Sequence, residues 1–340
     1  FGIWEKTNFA ALWSRLAQLL PICRQDNTEV IKLKPGILRV HTYYRSVFPE
    51  YVSQISRHPS ETLYKVKATH GIQISATEGH GLFVEVRRKP LGTKPVPASQ
   101  TLGKRLVRAK HLPCDIPDTP YLPVELQCFD GYIRGPAVAE RVTASSRKLI
   151  GALVAEGANH QSAASIVSRW KHHAYMPATM ARVTGNSLAG EVYTHHREAI
   201  PFPVLLSPEL LTFLGLWLAD GCYNTSGVNL CAGTSPEVEA IVSNISQSFH
   251  GSYAPSSYRP DVTFLITSSL LKKVMTAAGF SGTSRTKRFP RWVFNLSDRQ
   301  IGYLLRGLIE GDGCVSEMYI ILASVNHGLI EDARFLLWRL

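Results

Sequence analysis

Two short segments of this chain repeat one another, and this repeat constrains the fold more than any other feature. Residues 213–221 read FLGLWLADG and residues 305–313 read LRGLIEGDG. Each segment has apolar residues at helical spacing, two small residues four positions apart, and an Asp-Gly end. Positions i and i+4 share one helix face, and small residues there allow a close approach. The pair therefore predicts two helices packed directly against each other.

The residues of the predicted helix interface are Gly215, Ala219, Gly307 and Gly311. A bulky side chain at any of these positions would hold the two helices apart. The structural alternative is a pair of ordinary helices with glycine caps. That alternative is favoured for one such segment, but two segments in the same context favour a shared site.

The Asp-Gly ends predict where chemistry takes place. Gly221 and Gly313 are expected to adopt the left-handed conformation that ends a helix. Asp220 and Asp312 then lie at helix C-termini, where the macrodipole disfavours negative charge. Because both carboxylates lie in this unfavourable position, the pattern predicts that they are metal ligands. Divalent cations held by both carboxylates can activate water and stabilise the leaving oxygen of a phosphodiester.

These segments resemble the twin motifs of the LAGLIDADG, or DOD-type, homing endonucleases, which cut double-stranded DNA. The resemblance implies two αββαββα halves that meet at the paired helices, with their sheets forming a saddle over the DNA major groove. It also implies that Asp220 and Asp312 bind Mg²⁺ or another divalent cation. Trp217 and Leu218 depart from the family pattern, which has smaller or acidic residues there, but both Asp-Gly pairs are intact.

The segment before the second motif, residues 287–294 (KRFPRWVF), resembles the Lys-x-x-Pro block of the same family. In that block the lysine is thought to support catalysis, which implies a catalytic role for Lys287. A lysine that contacts DNA phosphate is an equally compatible alternative. The residues expected to contact DNA are Arg285, Lys287, Arg288 and Arg291.

An upstream segment, residues 71–84 (GIQISATEGHGLFV), resembles the intein block that carries Thr-x-x-His. The resemblance implies an all-β Hint domain that splices itself out of a host protein. His80 would protonate or twist the scissile amide, and Thr77 would hydrogen-bond the same site. The alternative is a surface hairpin with a chance histidine. The position of this block, after β-rich sequence and before the first endonuclease motif, matches the order of an intein.

The predicted organisation is therefore a multidomain chain with an all-β Hint domain and an α+β LAGLIDADG domain. We place the β-rich splicing domain at 1–130, a helical linker or added DNA-recognition region at 131–198, and the endonuclease, with an incomplete second half, at 199–340. Helices are predicted at residues 8–20, within 137–182, and at 208–219, 236–249, 269–278 and 298–310.

Both ends of the chain differ from an intact intein, which begins with Cys, Ser or Thr and ends with His-Asn. This chain begins with Phe1 and ends with Leu340, so we expect a fragment, truncated at both ends, that does not splice and that need not cut DNA. Cys23 heads a segment loosely similar to the first intein block and is an alternative nucleophile, although an incidental cysteine is favoured.

Composition bears on the partners. The net charge of +11 favours a polyanion such as nucleic acid, although a merely basic protein is the plain alternative. No apolar run is long enough to span a bilayer, and the six cysteines form no C-x-x-C pair. We expect an intracellular monomer that binds double-stranded DNA, with a host protein (extein) in cis. Residues 1–87 resemble inteins of family B DNA polymerases.

Residues 144–173 resemble a helix-turn-helix in outline, and the side chains that can reach phosphates are Arg169, Lys171, His172 and His173. A helical bridge with a solvated basic face is the favoured alternative.

Two rival functions remain for the whole chain. One is a degenerate intein whose endonuclease remnant only binds DNA, and the other is a LAGLIDADG-type DNA- or RNA-binding regulator without splicing.

Overall fold

The computed structural model divides the chain into two compact units, Lys6–Pro113 and Cys114–Leu340. This division does not test the predicted limits of the splicing and endonuclease domains, which stay predictions. The residues that the structure describes are 9–25, 27–44, 46–59, 61–68, 73–86, 92–107, 112, 114, 116–185, 188–194, 199–233, 235–256, 259–260, 262–317 and 319–340.

The first unit consists of one helix followed by short antiparallel strands. Helix α1 (Phe9–Leu19) confirms the helix predicted at 8–20 and buries Trp13 and Leu16. The strands are β1 (Cys23–Gln25), β2 (Thr28–Lys32), β3 (Arg39–Tyr44), β4 (Ser46–Tyr51), β5 (Gln54–Arg57), β6 (Leu63–Lys67), β7 (Gln73–Thr77), β8 (Leu82–Val86) and β9 (Gly92–Val96). Strands β1, β2 and β5 form one sheet, and β3–β4, β6–β7 and β8–β9 form two-stranded sheets.

The core of the first unit is small and lies in two separate places. Trp13 and Leu16 of α1 pack with Ile31 and Leu33 of the β2 region. A second cluster contains Ala76, Leu82 and Ala98. The predicted β-rich, hairpin-rich character is confirmed, whereas a Hint fold is not shown and stays a prediction.

The second unit begins with helices and strands that confirm the helical pattern predicted within 137–182. Its first elements are β10 (Tyr132–Arg134), α2 (Pro136–Ala144), α3 (Ser146–Ala155), α4 (His160–His172), β11 (Tyr175–Pro177), α5 (Ala181–Thr184), β12 (Gly190–Tyr193) and β13 (Ala199–Phe202). The strands form an antiparallel sheet in the order β11-β10-β12-β13.

The remainder of the second unit contains both repeated segments. Its elements are α6 (Pro208–Asp220), β14 (Gly221–Tyr223), β15 (Val228–Cys231), α7 (Pro236–Ser248), β16 (Ser252–Pro255), β17 (Thr263–Thr267), α8 (Ser269–Ala277), α9 (Asp298–Asp312), β18 (Gly313–Val315), β19 (Ile320–Leu322) and α10 (His327–Arg339). Four strands form an antiparallel sheet in the order β14-β15-β17-β16, and β18 pairs with β19. The four helices predicted in this region are confirmed to within two residues at each end.

Both motif helices begin at a serine that the sequence places just before the apolar run. The Ser207 hydroxyl accepts a hydrogen bond from the Leu210 amide at 3.1 Å, and the Ser297 hydroxyl accepts one from the Gln300 amide at 3.2 Å. Each bond satisfies an amide that has no partner within the helix, which sets the start of α6 and of α9.

One continuous core supports this unit, and its buried members lie between Leu122 and Leu336. Helix α6 is its centre, because every residue from Leu210 to Ala219 is buried. Among the described residues, no helix combines the length and the apolar character that a membrane span requires.

Candidate active site at the paired helices

Helices α6 and α9 touch through their backbones, as the small residues predicted. A Cβ atom added to Gly215 would lie 2.0 Å from the Leu304 carbonyl oxygen, and one added to Gly307 would lie 1.9 Å from the Thr212 carbonyl oxygen. Real Cβ atoms do not approach backbone oxygens so closely. The two glycines therefore permit a contact that no other residue would allow.

The same contact continues to the C-terminal ends of the helices. A Cβ atom added to Gly311 would lie 2.5 Å from the Cβ atom of Ala219. Trp217, which departs from the family pattern, is fully buried on another side of α6, with its ring 4.9 Å from that of Tyr223 and 6.1 Å from that of Phe280. The departure at Trp217 thus leaves the helix interface unchanged.

The glycines after each aspartate end their helices, but not in the predicted conformation. Gly221 has φ −96° and ψ 158°, and Gly313 has φ −110° and ψ 170°, so both are extended and neither is left-handed. Each begins a strand that turns back against the helix. A Cβ atom would lie 2.4 Å from the Trp217 ring at Gly221 and 2.5 Å from the Ile309 carbonyl oxygen at Gly313. The small size of glycine, and not its access to positive φ, is what these positions use.

Asp220 and Asp312 are the last residues of the two helices, where the sequence placed them. Asp220 is exposed and Asp312 is half-buried. Burial, and then the neighbouring charge of Asp220, raises the pKa of Asp312, while the charge of Lys287 opposes the rise. Both carboxylates lie at the end of the helix pair where Gly311 meets Ala219.

Lys287 lies beside this end of α6, but it is not at the surface. Its side chain is 2% exposed, so a direct contact with DNA phosphate, the alternative given above, is wrong. The Nζ atom donates to the carbonyl oxygens of Trp217 at 2.7 Å and Gly221 at 2.5 Å, and it lies 4.6 Å from the centre of the Trp217 ring. Burial lowers the pKa of Lys287, and the charges of Asp220, Cys222 and Asp312 oppose that change.

The neighbouring arginines differ among themselves. Arg285 and Arg291 are exposed, and their predicted contact with DNA stays a prediction. Arg288 donates to both carboxylate oxygens of Asp332, at 2.7 and 2.9 Å. Because the Asp332 side chain is only 3% exposed, this ion pair attaches the segment before α9 to helix α10.

The sheet that follows α6 turns one face to the core and leaves the other open. Burial alternates along β15 and β17, with Val228, Leu230, Phe264 and Ile266 facing the core. The opposite face of the four strands carries small or neutral residues, namely Cys222, Asn229, Cys231, Ser252, Ala254, Thr263, Leu265 and Thr267. Such a face can approach base edges, but these strands bring no cation to the phosphates.

The carboxylate pair fits a hard divalent cation better than a transition metal. Mg²⁺ takes one or two protein carboxylates and keeps water and substrate phosphate oxygens as its other ligands. Within the part of the chain that the structure describes, no group of three or more His, Cys, Asp or Glu side chains has the arrangement of a metal site. Asp220 and Asp312 can therefore hold such an ion only together with water or with DNA.

The internal repeat continues past each Asp-Gly pair. A cysteine follows each Asp-Gly pair, so that Cys222 and Cys314 occupy equivalent places in β14 and β18, and both are exposed free thiols. The tripeptide Asp-Gly-Cys is thus repeated, and it extends the internal repeat beyond the helices.

The residues predicted for splicing lie in the first unit, and the structure brings them to one turn. Thr77 is the last residue of β7, and its carbonyl oxygen accepts a hydrogen bond from the His80 amide at 3.1 Å. His80 is exposed. Cys23, the alternative nucleophile, is an exposed residue of β1 that pairs with Val30. Of the resembling segment, residues 71 and 72 lie outside the described residues.

Comparisons with known proteins give a partial similarity and a family match at the second motif helix. The chain is similar to the Iron-sulfur cluster assembly SufBD family protein ML0593 of Mycobacterium leprae (strain TN), with 26% identity over 148 residues, 42% of this chain and 17% of that protein. The chain thus spans less than a fifth of the length of this relative. Residues 299–340, which contain nearly all of α9 and the whole of α10, match the family model described as a LAGLIDADG-like domain, and this match supports an endonuclease-like or DNA-binding role.

Proposed function

We propose that this chain is a site-specific endonuclease that hydrolyses phosphodiester bonds in double-stranded DNA with Mg²⁺ or another divalent cation. The contact between α6 and α9 carries the proposal. Glycines at the contact let the two backbones touch, and the helices end together at two carboxylates, where burial and the charge of Asp220 raise the pKa of Asp312. The LAGLIDADG-like domain at residues 299–340 supports the same activity.

The residues around the carboxylates have separate roles in this proposal. Asp220 and Asp312 would hold the cation, which would supply an activated water and stabilise the leaving oxygen. Lys287 keeps the last turn of α6 in place through its bonds to the Trp217 and Gly221 carbonyl oxygens. It is a positioning residue, because its ammonium group is buried against the protein backbone.

A cleavage assay tests this proposal. The full-length gene product is incubated with Mg²⁺ and a duplex that spans the uninterrupted insertion site, which the genomic flanks define. We expect Asp220→Asn and Asp312→Asn to abolish cleavage and to retain binding, because each removes one charged ligand. Glu310→Gln is the matched control, since Glu310 is an exposed acid of the same helix, two positions before Asp312.

Two outcomes contradict catalysis. If the wild-type protein binds this duplex and never cuts it, the chain is a DNA-binding remnant, which is the second candidate. If Glu310→Gln loses as much activity as Asp312→Asn, the carboxylate at position 312 has no special role.

We also propose that the first unit belongs to a self-splicing domain in which His80 and Thr77 act on the scissile amide. The turn that joins their backbones and the exposure of His80 support this role. The full-length gene product, expressed between its host segments, should release the joined host protein, and His80→Ala should stop the release. His327→Ala, at another exposed histidine, is the control. If the wild-type product also stays intact and releases no joined host protein, the result favours a regulator without splicing.

The host protein is part of the same proposal. Because residues 1–87 resemble polymerase inteins, a DNA polymerase is one candidate for the host protein. The similarity to an iron-sulfur cluster assembly SufBD family protein makes a protein of that kind a second candidate. Either host would place the element inside the cell. Sequencing the genomic flanks of the reading frame decides between them.

A further inference from the structure

Helices α3 and α4 are joined in the manner of a helix-turn-helix. Four residues, 156–159, separate Ala155 from His160. Gly157 adopts φ +102°, a conformation that side chains rarely take, and its amide donates to the Val154 carbonyl oxygen at 3.0 Å. The Asn159 side chain then accepts from the Ser162 amide at 2.8 Å and begins α4. A short turn of this kind, with a glycine, is typical of the motif.

Helix α4 has one buried face and one open face. Ala163, Val167 and Trp170, at helical spacing, are buried, and Val167 and Trp170 belong to the core of the second unit. The exposed positions on the rest of the helix are His160, Gln161, Ser162, Ser165, Ser168, Arg169, Lys171 and His172. The core contact therefore holds α4 firmly and leaves its polar face available to a partner.

The composition of the open face distinguishes α4 from an ordinary solvated helix. None of the residues of α4 or α3 is acidic. Helix α7 of the same unit shows the usual pattern, with Glu237 and Glu239 in its first turn, where they complement the helix dipole. Basic residues in the last turn of α4 also complement that dipole, so they are weak evidence alone. The neutral hydrogen-bonding side chains of its first half are the stronger sign.

The order of these residues along α4 matches what the DNA major groove requires. In a helix-turn-helix the N-terminal residues of the second helix contact base edges. A glutamine side chain can form two hydrogen bonds to adenine, and a serine hydroxyl can form a hydrogen bond to any base. Cationic side chains neutralise phosphates, and these follow on α4 at Arg169 and Lys171.

We propose that α4 is a recognition helix that enters the major groove of duplex DNA, with Gln161, Ser162 and Ser165 at base edges and Arg169 and Lys171 at phosphates. This contact is separate from the carboxylate pair. It adds a second DNA contact to the proposed function, and it supplies cations that the open face of the sheet after α6 lacks. The proposed contact of α4 requires that the chain binds DNA, but it does not require that the chain cuts DNA.

The test uses the full chain and a library of 40-base-pair duplexes of random sequence, selected for binding in EDTA so that cleavage does not intervene. We expect the wild-type chain to select a conserved block of bases that Gln161→Ala and Ser165→Ala no longer select, with affinity for the selected duplex at least about fivefold weaker. Arg169→Ala should weaken binding to all duplexes and lower the dependence of log K on log salt by about one.

The control is Lys104→Ala, at an exposed lysine of the first unit, which should leave the selected block unchanged. Circular dichroism and thermal melting of each variant show that exposed positions of α4 were changed without loss of fold. The proposal is overturned if the α4 variants select the same block as the wild type with the same affinity, or if the wild-type chain selects no block. A chain that selects through α4 and never cuts DNA refutes the nuclease and leaves this proposal standing.

Discussion

At the scale of single residues, the surroundings of Lys287 decide its role. A basic residue before the second motif suggests a surface contact or a catalytic group, but the side chain is buried and donates to carbonyl oxygens at the end of α6. The Trp217 carbonyl oxygen also accepts a hydrogen bond from the Gly221 amide, and Gly221 is the first residue of β14, so the ammonium group joins the last turn of α6 to the strand that follows it. Lys287 therefore acts as a C-terminal cap supplied by a distant part of the chain.

Lys287→Met tests this capping role. The change removes the donor from two buried carbonyl oxygens, and we expect the free energy of unfolding to fall by about 1–3 kcal/mol. Urea denaturation measures it. Arg285→Met, two positions earlier and exposed, is the control and should leave stability unchanged. If Lys287→Met unfolds like the wild type but loses cleavage, the lysine acts on the reaction itself and the capping role is wrong.

At the scale of elements, the contact of α6 with α9 organises the second unit. Most helix pairs are separated by side chains and have axes 8–10 Å apart. Here glycines on both helices let each backbone reach the other, and both helices have hydroxyl caps at their starts. The contact therefore fixes where the helices end, and with it the place of the two carboxylates.

Two alanine substitutions on α9 separate the effect of this contact from helix propensity. At Gly307 a new Cβ atom meets the backbone of α6, so Gly307→Ala should destabilise the chain by about 3 kcal/mol or prevent folding. At Gly302 a Cβ atom meets nothing within 4 Å, so Gly302→Ala should stabilise it by up to about 1 kcal/mol. Thermal and urea denaturation compare the two. Equal effects of both substitutions would contradict the close contact.

At the scale of the whole molecule, the two units differ in how their cores are built. The second unit has one continuous core with all of its buried members between Leu122 and Leu336. The first unit has two small clusters. A large core buries a greater share of its surface and stabilises its unit more than several small ones.

Residues 114–340 expressed alone should consequently fold. We expect a single cooperative thermal transition and a near-ultraviolet circular dichroism signal from the buried Trp170 and Trp217. Residues 6–113 alone should melt at a lower temperature or without cooperativity. A non-cooperative transition in the 114–340 fragment would show that its core depends on the rest of the chain.

The sequence by itself determined helices α1 and α6 to α9, their starts and the face on which α6 and α9 meet. These features are local, since helical spacing, serine caps and small residues four positions apart act within one or two turns. The fold of the first unit was determined only as far as its β-rich character, because short strands pair with partners that no local pattern identifies.

Only the tertiary structure decided the conformation of Gly221, the burial of Lys287 and the partner of Arg288. Gly221 is extended because β14 turns back over Trp217. Lys287 is a cap and not a surface cation because the carbonyl oxygen of Trp217, 70 positions away, lies against it. Interactions of such sequence separation depend on packing, and no periodicity or motif within either segment encodes them.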